Sequence, residues 1–92
     1  MKSAYELAME RLSKSAPAQK LSAAQKERIA DLESLYKSKI AQEELATNDA
    51  LAAAEGAGDF EKATELRARL LGERRRLQAE LEDKKERVRA QA

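Results

Sequence analysis

Arg67, Arg69, Arg74, Arg75 and Arg76 fall within ten residues, and Lys84, Lys85, Arg87 and Arg89 follow soon after. Arg69, Arg76 and Arg87 could line one helix face, and such a stripe neutralises phosphates; Arg69, Arg74, Arg75 and Arg76 are the candidates for phosphate contacts. The same stretch has no aromatic residue on which a base could stack. Glu65 precedes Arg69 by four residues and Glu80 precedes Lys84 by four, the spacing that stabilises an exposed helix through ion pairs. A solvated charged face therefore outweighs a nucleic-acid interface in this reading, and a small RNA- or ribosome-associated factor is the alternative.

The carboxylates suggest less. Glu43-Glu44 and Glu73 would meet if two helices folded back on one another, but bundle di-metal sites add Glu-x-x-His motifs and the chain has no His. It has no Cys or Trp either, which excludes thiol nucleophiles, Cys/His zinc sites and Ser-His-Asp triads. No catalytic residue, metal ligand, cofactor or small-molecule substrate is expected. Eighteen basic residues against 17 acidic give a net charge of +1, which is not the overall balance of a nucleic-acid binder. No apolar run spans a bilayer. Glu6 and Glu10 interrupt the stretch a signal peptide would need, so a cytoplasmic location is expected.

The elements that carry these residues are easier to read. Ala, Glu, Lys, Leu and Arg make up 62 of 92 residues, a composition of long helices or coiled coils. Pro17 and Gly56-Ala57-Gly58-Asp59 punctuate the chain. The expected fold is all-α: a short N-terminal helix over 1–16, a linker over 17–21, and an antiparallel, coiled-coil-like helical hairpin over 22–92 turning at 56–59. Ser3 with Glu6 and Ser22 with Gln25 fit capping boxes, and Asp59 fits an N-cap. Thr47-Asn48-Asp49 is a candidate kink, and Gly72 a candidate for close approach of another backbone.

If the rods fold at Ala57, Leu51 faces Ala63, Ile40 faces Arg74, Tyr36 faces Leu77, Leu32 faces Leu81, and Gln25 faces Val88. Arg67, Arg74 and Lys84 fill gaps in the apolar stripe of the second rod. That seam is thin, and Leu35, Leu45, Leu66 and Leu71 lie off it. Cover from the first helix, and from a second hairpin in a dimeric bundle, is expected.

Residues 59–70, "DFEKATELRARL", resemble the second half of the UVR motif, the helical hairpin of the UvrB and UvrC repair proteins that also occurs in Clp-associated adaptors and chaperones. Phe60 and Glu61 match its turn, Ala63 its first small position, Leu66-Arg67 its Leu-Arg pair, and Leu70 its closing aliphatic. Leu51 to Gly58 is similar to its Ala-rich first helix. The departures are Thr64, where Ala is usual, and Ala68, where the motif has Asp. The resemblance covers residues 45–75 at most. It implies a non-catalytic protein–protein interaction or assembly module, with Phe60, Leu66, Arg67, Leu70 and Leu71 as the interaction residues. The expected partner is a second copy or another helical protein, with no membrane.

Overall fold

The computed structural model describes residues 3–7 and 20–91. The remainder of the expected N-terminal helix lies outside the described residues. Of those described, 90% are helical and none is in a strand. Two helices account for nearly all of this: α1 (Ala23–Gly56) and α2 (Phe60–Ala90), packed on each other as a hairpin. Residues 4–7 form a further helical turn, where the Glu6 amide donates to Ser3 Oγ at 3.2 Å.

Helix α1 starts where its capping box places it. The Gln25 amide donates to Ser22 Oγ at 3.1 Å, and the Ser22 amide donates to Gln25 Oε1 at 2.8 Å. The helix then runs unbroken through Thr47-Asn48-Asp49. Packing of Thr47 and Ala50 beside α2 overrides three weak propensities. Helix α1 ends in a Schellman motif: the Asp59 amide donates to the Ala54 carbonyl at 2.8 Å, and the Gly58 amide to the Glu55 carbonyl at 3.0 Å. This requires the left-handed backbone of Gly58, φ 73°, which costs glycine least. Asp59 then opens α2, its Oδ1 accepting from the Lys62 amide at 3.1 Å. One residue closes the first helix and caps the second, which is why three residues suffice for the reversal.

The core is a single seam. Ile29, Tyr36 and Ala54 of α1 and Ala63, Leu77 and Val88 of α2 are its buried residues. Tyr36 has no exposed surface, and its ring lies 4.8 Å from the Lys39 ammonium and 5.2 Å from that of Lys84, within range of cation–π attraction. Its hydroxyl is the buried side-chain polar atom left without a hydrogen-bond partner among the described residues.

Three seam expectations need correction. Leu66 is half-buried and lines a groove with Ala46, Thr47 and Ala50, so it belongs to the α1–α2 contact. Arg74 pairs with Glu44, one turn beyond Ile40, and Arg67 reaches out to Glu55; both guanidiniums lie outside the seam. The offset has a physical cause. Side chains lean toward the N-terminus of their own helix, so in an antiparallel pair they meet a residue or two past the backbone register. Finally, a Cβ built at Gly72 meets nothing within 4 Å, so no backbone of this chain approaches it closely.

Candidate functional site

The chemistry-bearing residues divide between the two flanks of the hairpin. Along one flank run three ion pairs between the helices: Glu55 with Arg67, Glu44 with Arg74, and Glu33 with Lys85 at 3.6 Å. Each has its acid on α1 and its base on α2. Arg74 Nε also donates to Glu44 Oε1 at 2.8 Å. The pairs at Glu44 and Glu33 lie eleven residues apart on both helices, so the register is the same at each. At the open end, Gln25 Nε2 donates to the Val88 carbonyl at 3.0 Å and to the Gln91 carbonyl, while Arg28 Nη1 donates to Gln91 Oε1 at 2.9 Å. Gln25 thus caps α1 and grips the end of α2 with one side chain.

The ion-paired flank holds a groove over Ile40, Ala41 and Leu81, edged by Glu33, Glu44 and Lys85, and the opposite flank has two smaller shallow ones. One lies between Leu32, Leu35 and Val88, edged by Arg28 and Asp31. The other lies between Ala46, Ala50, Leu66 and Leu70, edged by Glu43 and Arg69. Arg76 stands on this flank and binds Glu73 at 2.9 Å and Glu80 at 3.4 Å within its own helix. Hydrogen bonding from Arg76, and then its charge, hold the Glu73 carboxyl below the ordinary value of 4.5. Glu73 in turn raises the Arg76 guanidinium.

The interaction residues read from the sequence are therefore dispersed. Phe60 is 71% exposed at the tip of the hairpin. Arg67 and the half-exposed Leu71 follow Phe60 along the ion-paired side of α2, whereas Leu66 and Leu70 face α1. No family model matches this chain, and no curated protein and no solved structure matches it either. The arginine cluster is similarly split. Arg74 takes the ion-paired flank, Arg69 and Arg76 the opposite one, and exposed Arg75 the outer side of α2. Arg74 and Arg76 are already engaged by carboxylates.

Sequence reasoning missed Glu33, Glu44 and Glu55 as partners of α2; it set Gln25 opposite Val88, where the structure has it, but not on the Gln91 carbonyl. The signal was present in the eleven-residue step from Glu33 to Glu44 to Glu55 along α1. Among the described residues no three His, Cys, Asp or Glu side chains cluster as a metal site, and no helix is long and apolar enough to cross a membrane.

Proposed function

We propose that this chain is a non-catalytic helical interaction module, similar to the UVR motif, that docks another helical protein at the tip and along the ion-paired flank of its hairpin. The observation that carries this reading is Phe60. A large aromatic side chain is held 71% exposed on the first turn of α2, immediately after the cap that fixes the reversal. Exposed aromatics on a rigid scaffold make effective anchors, because little conformational freedom remains to be lost on binding. Leu71, 49% exposed on the same side of α2, extends the apolar track. Arg67 lies between them, its charge already balanced by Glu55. Phe60, Leu66, Arg67 and Leu70 are the residues that carry the motif resemblance; in this reading Phe60 and Leu71 touch the partner, while Leu66 and Leu70 support the hairpin.

The test is photo-crosslinking in the source cell, with the photoreactive group placed at Phe60 or Leu71 and, as a control, at Leu35. The expected result is one dominant protein partner at the first two positions, mapped by mass spectrometry to a helical segment, and none of it at the control. Cross-links to RNA that disappear steeply with added salt would replace this reading with the phosphate-binding one. That alternative rests on Arg69 and Arg75, because Arg74 and Arg76 are occupied by carboxylates.

A further inference from the structure

We propose that the flank opposite the three cross-helix ion pairs is covered by a second copy of this chain, related by a twofold axis parallel to the helices, to form a four-helix bundle. The inference rests on the reading above that the hairpin acts through its faces, and it assigns this face to self-association.

Charge is the first support. Helix α1 carries seven acidic and four basic side chains, and α2 seven acidic and ten basic. Like helices therefore repel and unlike helices attract. A twofold axis along the bundle places α1 beside α2 of the other copy, antiparallel, with the like helices on the diagonals.

Register is the second. The intrachain pairs Glu33 with Lys85 and Glu44 with Arg74 define which residues of α1 and α2 stand at one level. On the flank opposite those pairs and its outer edge, the same levels match Asp31 with Arg87 and Asp49 with Arg69. Rotation about an axis parallel to the helices preserves levels. It sets each carboxylate of one copy level with the matching guanidinium of the other. Within one chain, Asp31, Asp49, Arg69 and Arg87 make no ion pair among the described residues.

Gly72 is the third. An interior glycine weakens a helix relative to alanine, and nothing in this chain lies within 4 Å of a Cβ placed there. Gly72 lies at the outer edge of this flank, between Arg69 and Arg75, where it leaves room for the second copy. The Leu32–Leu35–Val88 groove is covered by the same copy.

The test uses the full chain in analytical ultracentrifugation, with circular dichroism on every variant to confirm retained helix. The wild type is expected to sediment as a dimer. Asp49→Arg and Arg69→Glu should each weaken it by about tenfold, since each symmetric dimer then holds two repulsive contacts. Mixing the two variants should restore wild-type affinity in the heterodimer, where each contact again joins opposite charges. Leu71→Asp, on the other flank, should leave the dimer intact. A wild type that stays monomeric at its highest soluble concentration overturns the proposal. So does a variant mixture without preference for the heterodimer, or a dimer lost with Leu71→Asp. A monomer that still cross-links through Phe60 removes only the self-association, leaving the function proposed above in place.

Discussion

Tyr36 is the residue on which the thin seam depends most. It is the largest side chain in the core and has no exposed surface. Truncation to alanine leaves a cavity that neighbouring lysine stems cannot fill, and Tyr36→Ala should lose about 3–5 kcal/mol in urea denaturation. Its hydroxyl, desolvated and unpartnered, works against the fold. Tyr36→Phe should therefore be neutral or stabilising by about 1 kcal/mol in the same measurement. Gly58 is the other sensitive position. Its φ of 73° strains any residue with a Cβ, so Gly58→Ala should destabilise by about 1 kcal/mol and speed hydrogen exchange at the Asp59 amide. The role of Tyr36 as a seam residue was legible from its spacing with Ile29, Leu32 and Ile40. The unpaired hydroxyl was not, because it depends on what α2 places opposite. The exposure of Phe60 was hidden for the same reason: a turn sequence gives the cap but not the direction of the ring.

Among the elements, caps and ends were the most legible. Ser22, Gln25 and Asp59 act locally, and local rules named all three; the same rules left the terminating glycine between Gly56 and Gly58, and Gly58 takes the role. Cross-helix partners were harder, since the tilt of side chains shifts every contact relative to the backbone register. Gln25 shows how the two kinds of information combine. Gln25→Ala removes half of a capping box and the clasp on the Val88 and Gln91 carbonyls together. It should destabilise the protein by about 1 kcal/mol. The signature separating it from an ordinary cap defect is faster hydrogen exchange at the last turn of α2 as well as at the first turn of α1. The Glu73–Arg76 pair has a defined acid dependence. Because the folded carboxyl is held below 4.5, its contribution is present above that value and is lost as pH falls through the lower folded value. Glu73→Gln should flatten that limb of the stability–pH curve by slightly lowering stability at neutral pH, while leaving stability at acid pH nearly unchanged.

At the scale of the molecule, a radius of gyration of 20.0 Å far exceeds the value of about 12 Å for a globular domain of this length. The described residues extend over 59 × 36 × 16 Å. Cysteines replacing Leu32 and Leu81 should form a disulfide within one chain, read as a mobility shift of the monomer in denaturing gels. A link found only between chains would mean that the two rods pair across copies. All-α architecture and a reversal at 56–59 followed from composition and two glycines. Which residues share each flank did not follow, because that distinction arises only when two helical surfaces are set side by side.

The spacing of the seam also governs how the rods wind. Ile29 and Tyr36 are seven residues apart, while Tyr36 and Thr47, like Leu77 and Val88, are eleven apart. A seven-residue step lags a straight helix by about 20°, and an eleven-residue step leads it by a similar angle. Taken in succession on α1 they cancel, and Tyr36 and Ala54, eighteen residues apart, return to one azimuth after five turns of about 3.6 residues. Over that span of α1 the seam thus keeps one azimuth along a straight axis and asks for no left-handed supercoil. Lengthening the hairpin by heptads alone would impose a supercoil and carry the acid–base pairs out of line. Blocks of eighteen residues added to both arms would extend it with every pair still in phase.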